Sequence, residues 1–258
     1  MTRARSIFAF WPGVAFIIAA LTLHEFLTRE GFVRRAFLPA PSDIWQTLVE
    51  IITSGQFAGP LLFTLGLFIA GFLISSVVGV ALGLLMGSSQ FFSDLFEPLV
   101  EGIRPIPKVA LIPMLILFFG IGAEMKIAAA VLASFFPVLI NTIQGVRGVD
   151  PVLINTGRTF GYSRAQILFK IQLPAAIPYI TAGMRVGLGI ALLATVVAEM
   201  LAGTGGLGST ILDHQRAFRI RDMYGWVVVL AVVGLALNTL MTVVERRLVP
   251  WLEKYRPN

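Results

Sequence analysis

Residues 61–86 read LLFTLGLFIAGFLISSVVGVALGLLM, with no charged side chain among them. A helix of about 20 apolar residues covers the hydrocarbon core of a bilayer, so this stretch predicts a membrane-spanning helix. Gly71, Ser75, Gly79, Gly83 and Gly87 recur at every fourth position, along one helix face. Small residues at that spacing let two helix backbones approach closely, within one chain or between two.

Five more apolar segments accompany it, covering about 8–27, 99–119, 123–143, 175–201 and 224–244. The first follows Arg3 and Arg5. Its apolar run is long and no small-x-small cleavage site follows, so a retained span is expected and not a signal peptide. Composition agrees: 57% of the 258 residues are hydrophobic and 13% charged, against ~45–50% and ~25% in soluble domains. Charge that sparse cannot coat a water-facing globule. The expected fold class is an all-α polytopic membrane protein with about six transmembrane helices, in one domain over residues 1–258.

Six spans put both termini on one side. With the N-terminus inside, the cytoplasmic bases are Arg3, Arg5, Arg104, Lys108, Arg147, Arg158, Arg164, Lys170, Arg185, Arg246, Arg247, Lys254 and Arg256. The outer ones are Arg29, Arg34, Arg35, Lys126, Arg216, Arg219 and Arg221, so 13 face 7. The positive-inside rule then favours cytoplasmic termini. The net charge of +6 fits loops anchored beside anionic membrane lipid. No basic run with interleaved aromatics points to nucleic acid.

Catalytic chemistry is scarce. There is no Cys. His24 and His214 are the only histidines, without metal-ligand spacing, and no Ser/His/Asp arrangement can be built. Residues 203–210, GTGGLGST, carry the glycine spacing of a phosphate-binding P-loop, but Ser209 stands where a Lys must meet the phosphates. A flexible turn on the outer face is expected there. No catalytic residue, metal or cofactor is expected in this chain, and no ATP site.

The connections carry more information. In the outer segment 28–60, Ser42 or Asp43 is expected to cap a short amphipathic helix beginning near Ile44. Pro105, Pro107 and Pro113 interrupt the entry to the third span, and such breaks survive in a membrane only where protein or water satisfies the freed carbonyls. The largest polar block is the inner segment 144–174, whose centre reads NTGRTFGYSRAQILFKIQLP over 155–174. Gly161 marks a turn between two short helical patterns, and Ser163 can cap the second. Ile167, Leu168 and Ile171 give that second pattern an apolar face, while Arg158, Arg164 and Lys170 face water or a partner. A helical hairpin across the cytoplasmic surface fits, and so does an amphipathic loop resting on lipid headgroups.

At these residues the chain becomes familiar. GRTFGYSRAQILFKIQLPAAIPYITAGMR, residues 157–185, resembles the cytoplasmic "EAA" loop of bacterial ATP-binding-cassette (ABC) importer permeases. FLPAPSDIWQTL (37–48), GIRPIPKVALIPMLILFFGIGAEMK (102–126) and VVAEMLAGTGGLGSTI (196–211) look like the subfamily that imports nitrate, taurine and aliphatic sulfonates. There is one departure. Asn155-Thr156-Gly157 stands where the family usually has Glu-Ala-Ala, so the loop's carboxylate is absent; Gly161 and Leu173-Pro174 are retained.

The resemblance implies a MetI-like type I ABC importer permease fold in the bacterial cytoplasmic (inner) membrane. It implies a second permease copy, two ABC ATPase subunits that hold ATP and Mg, and a periplasmic or lipid-anchored substrate-binding protein. It places ATPase coupling on the loop at about 145–174, at Arg158, Phe160, Gly161, Tyr162, Ser163, Leu173 and Pro174. The implied cargo is a small anion such as an aliphatic sulfonate, taurine or nitrate. A heterocyclic vitamin precursor or nucleobase-like solute is the alternative within the same importer type, and a self-contained secondary transporter is the alternative from another class.

Along the fifth span, Gly183, Gly187, Ala191, Thr195 and Glu199 fall every four residues. This stripe is expected to face the dimer axis and line the translocation path, joined by Asn238, with Thr242 and Gly234 on its face of the sixth span. A charge facing lipid costs ~2.5–3.5 kcal/mol on insertion scales, so Glu199 must face protein or water. Its structural alternative is to pair with an outer-loop Arg or a helix terminus.

Overall fold

The computed structural model describes residues 11–250. Arg3, Arg5, Lys254, Arg256 and the start of the first expected span lie outside these residues. Among the described residues there is no strand. Five helices are long and apolar enough to cross a membrane, and a bent pair makes a possible sixth. The chain divides into two compact units, Met1–Pro60 with Thr210–Ala231, and Leu61–Ser209 with Val232–Asn258.

The first unit holds α1 (Trp11–Arg29) and α2 (Pro41–Thr53), with parts of α10 (Gly206–Arg216) and α11 (Ile220–Leu248). The N-cap of α2 is Ala40, without a side-chain cap, and Pro41 occupies the first turn. This corrects the expected cap at Ser42 or Asp43 and the expected start near Ile44. Pro41 fixes a helical φ and needs no N–H partner there. Ser42 is instead taken up by Glu25 of α1, which accepts from its backbone N at 3.0 Å and its Oγ at 2.7 Å. Arg221 of α11 donates to the Asp43 carbonyl and to Thr47 Oγ1, at 3.1 and 2.7 Å. Gly225 lies so close to Thr47 that a Cβ would stand 2.6 Å from its methyl.

The second unit is organised around α6 (Ala123–Arg147), which α3 (Ala58–Ser88) meets through its small-residue face. A Cβ on Gly71 would stand 2.6 Å from that of Ala130, and Gly83 and Gly87 are equally tight against Thr142 and Val146. Ser75 and Ser134 share a hydrogen bond of 2.6 Å between them. The stripe of the second span is therefore a seam within one chain. Met125, Ala130, Val138, Leu139 and Val146 of α6 are fully buried.

The third expected span, 99–119, is not one helix. α4 (Gln90–Ile103) and the segment Lys108–Phe119, a 3-10 turn leading into α5 (Ile112–Phe119), are bent by 85° at the break between them. Pro105 and Pro107 fall in that break and remove backbone donors. Lys108 answers for the freed acceptors: its ammonium donates to the carbonyls of Ile103, Arg104 and Ile106 at 2.7, 3.1 and 2.7 Å, and lies 4.4 Å from the Phe136 ring centroid.

Candidate functional site

The inner segment folds as a helical hairpin. Asp150 caps α7 (Pro151–Thr159) by accepting from Val152 N at 2.8 Å. The chain turns at Gly161, whose φ of +76° is left-handed, a region that side chains with a Cβ disfavour. Ser163 then opens α8 (Arg164–Ile167) with a full capping box: Gln166 N donates to its Oγ at 3.3 Å, and its own N donates to Gln166 Oε1 at 2.8 Å. Phe160 stands at the tip, 77% exposed.

Gly157 closes the hairpin from inside. It is buried, and a Cβ there would meet Ile171 Cδ1 at 2.6 Å. In place of the family's carboxylate, Asn155 accepts from Arg158 at 3.4 Å. Tyr162 lies beneath the Lys170 ammonium, 5.1 Å from its ring centroid. Leu173 and Pro174 do not end the loop, as the sequence implied. They begin α9 (Leu173–Ala202), which continues from α8 through a π-turn at Leu168–Gln172. The wider π-turn accommodates the Pro174 ring and its missing N–H without breaking the helix.

The expected path residues separate. Gly187, Ala191, Thr195 and Glu199 are all buried inside the chain. A Cβ on Gly187 would stand 3.2 Å from the Ser134 carbonyl and from Val138, and one on Gly183 would meet Asn141. The stripe thus packs on α6 and does not stand on an open face. Its small residues serve close helix approach, the same role they serve in α3. Asn238 of α11 is exposed.

Glu199 is the centre of a second cluster. Its side chain is fully buried at the end of α9. Thr64 Oγ1 donates to Oε1 at 2.8 Å and lies 3.0 Å from Oε2, and Gly208 N donates to Oε2 at 2.9 Å. Leu207 N donates to Thr64 Oγ1 at 2.8 Å, and Ser209 Oγ reaches the Glu199 carbonyl at 3.0 Å. The carboxylate therefore closes the N-terminus of α10, where orphan N–H groups and the helix dipole favour a negative charge. Of the two structural partners expected for Glu199, the structure shows the helix terminus.

This corrects the expectation for 203–210. Only residues 203–205 lie outside a helix; from Gly206 to Ser209 the segment is buried helix. Gly206 has a φ of +91°, and a side chain on it would collide with the Glu199 carboxylate, while one on Gly208 would collide with the Val196 carbonyl. Lys126, expected as an outer base, is fully buried. It donates to the Thr204 carbonyl and lies 4.8 Å from the Phe63 ring centroid. Sequence reasoning missed Thr64 and Lys126. A lone Lys at the start of one span and a lone Glu at the end of another was the available signal. Among the described residues no acid or His cluster is able to hold a metal.

The family described as "Binding-protein-dependent transport system inner membrane component" matches residues 75–254. The putative aliphatic sulfonates transport permease protein SsuC of Bacillus subtilis is 35% identical, over 87% of this chain and 82% of its own length. The taurine transport system permease protein TauC of Escherichia coli is 31% identical over 83% and 80% of the two chains. The nitrate import permease protein NrtB of a Synechocystis strain is 35% identical over 71% and 67%. Among solved structures, a chain of the inward-facing MetNI methionine ABC transporter aligns with a TM-score of 0.64 at 19% identity, covering 74% of this chain and 94% of that one. An amino acid ABC transporter crystallised with histidines gives 0.62, also at 19% identity, over 78% and 97%. Both share the fold.

Proposed function

The chain belongs to the binding-protein-dependent transport system inner membrane component family, as a multi-pass permease subunit and not an enzyme, and on that premise we propose how it works and what it carries. Residues 1–258 act as one permease domain in the cytoplasmic membrane, with both termini inside. Two copies assemble with two ABC ATPase subunits, which hold the ATP and Mg, and receive cargo from a binding protein outside. The hairpin at 151–174 is the ATPase-coupling element. The observation that carries this is its geometry: the left-handed Gly161 presents an exposed Phe160 at the tip of a capped, rigid turn. ATP-driven closure of the ATPase pair displaces this tip, and the continuous helix from Arg164 to Ala202 carries the movement through the bilayer. This is switching between discrete packed states.

The cargo is a small anion, with an aliphatic sulfonate or taurine ahead of nitrate. Support comes from relatives named for sulfonates and taurine that match most of this chain. The test is reconstitution of the complex with its ATPase and binding protein in liposomes. Uptake of a labelled sulfonate that requires ATP supports the proposal; uptake of a neutral heterocycle with no anion uptake rejects it.

A further inference from the structure

We propose that the groove between the hairpin and the α3–α4 corner binds the headgroup of an anionic phospholipid. This rests on the chain being a membrane permease, and not on its cargo. The groove has a volume of about 740 Å³ and runs between Leu85–Phe92 on one side and the hairpin on the other. Pockets of ~300–1,000 Å³ hold drug-sized molecules, so it is far larger than a single inorganic anion requires.

Its charge has one sign. Arg158 and Arg164 both line it, and no ion pair among the described residues involves either. The bond of Arg158 to Asn155 leaves its charge uncompensated. Residues 151–198 contain no Asp or Glu at all. Lys170 adds a third base beside Tyr162, and Tyr162 lines the groove. Two guanidinium forks without carboxylate partners match the geometry of a phosphate.

Its position and rim point to lipid as the source of that phosphate. The groove begins where the apolar span of α3 ends, at Leu85 and Ser88. Phe91 and Phe92 of the corner line it, and Phe91 is 70% exposed. Apolar rings beside unpaired bases fit acyl chains beside a headgroup, not a soluble acidic surface. Phe160 and Gly161 lie outside the groove, so the tip stays available to the ATPase. A bound lipid would clamp the hairpin to the α3–α4 corner.

The experiment is native mass spectrometry of the permease–ATPase complex released from nanodiscs of phosphatidylcholine, with and without about 30 mol% phosphatidylglycerol. Wild type is expected to retain phosphatidylglycerol in preference to phosphatidylcholine. Arg158→Gln/Arg164→Gln should bind it roughly tenfold more weakly, whereas Arg247→Gln, outside the groove, should stay close to wild type. Equal retention by the double variant and wild type overturns the proposal. So does displacement of the lipid by millimolar methanesulfonate, which would mark a soluble-anion site. Loss of the ATPase from Arg164→Gln with lipid retention unchanged also overturns it, since the groove would then belong to the ATPase. The permease reading is judged separately, by whether the ATPase co-purifies with wild type.

Discussion

Thr64 and Glu199 lie 135 positions apart in sequence and meet in a buried hydrogen bond of 2.8 Å. Through it the start of α3, the end of α9 and the first turn of α10 share one polar centre. Thr64 accepts from Leu207 N while donating to the carboxylate, so its loss strands groups on both sides. A buried unsatisfied polar group costs ~1–3 kcal/mol. Thr64→Val should therefore lower the thermal midpoint of the detergent-solubilised permease. The Thr64→Val/Glu199→Gln double variant should lose less than the sum of the single variants. Additive losses would show that the two side chains do not act together.

The seam between α3 and α6 predicts a contrast between glycines. Gly71→Ala places a Cβ 2.6 Å from the Ala130 Cβ, and overpacking of that kind costs ~1–3 kcal/mol. Gly66 has open space around its Cβ position, so Gly66→Ala should be neutral or gain up to ~1 kcal/mol in helix propensity. Thermal unfolding of the two variants measures the difference.

Burial of the α9 stripe predicts its reactivity. The chain has no Cys, so single Cys probes are clean. Cys at Ala191 or Thr195, both fully buried, should resist a water-soluble thiol reagent, while Phe218→Cys, 87% exposed in the turn between α10 and α11, reacts. Labelling rates on right-side-out membranes test this. Reaction at Thr195 as fast as at Phe218 would return the stripe to an open face.

His214 stacks on Trp226 with centroids 6.4 Å apart. Burial holds its imidazole below the ordinary value of 6.5, reinforced by Arg219 and opposed by Asp222 and Asp213. The native state thus prefers neutral His214. Its contribution to stability is present above the ordinary value and is lost as pH falls through the native one. Wild-type stability should drop on acidification by more than that of His214→Gln, followed by intrinsic fluorescence during unfolding.

Much of this structure is legible in the sequence, for identifiable reasons. Charge-free runs such as 61–86 define spans because a bilayer tolerates little else. The hairpin follows from local chemistry, with a left-handed turn at Gly161 and a capping box from Ser163 to Gln166. Three features were hidden because they depend on distant partners. The face on which the Gly183–Glu199 stripe packs is set by α6, which a periodicity of four cannot identify. The glycine cluster at 203–208 looks flexible until Phe63, Glu199 and the Val196 carbonyl fill the space its missing side chains leave. Leu173-Pro174 resembles a helix boundary because a π-turn, invisible to pattern, absorbs the proline.

If the Phe160–Gly161 tip docks on the ATPase, site-specific photo-crosslinking from that position captures the contact. A photoreactive group is placed at Phe160 and, as a control, at Leu117, which is 85% exposed on α5. The assembled transporter is irradiated in its membrane and the captured species are identified by mass. Position 160 is expected to capture the ATPase, with a yield that changes when a non-hydrolysable ATP analogue is added, and position 117 is expected not to. Capture of lipid alone at position 160, with the ATPase present and bound, would contradict it.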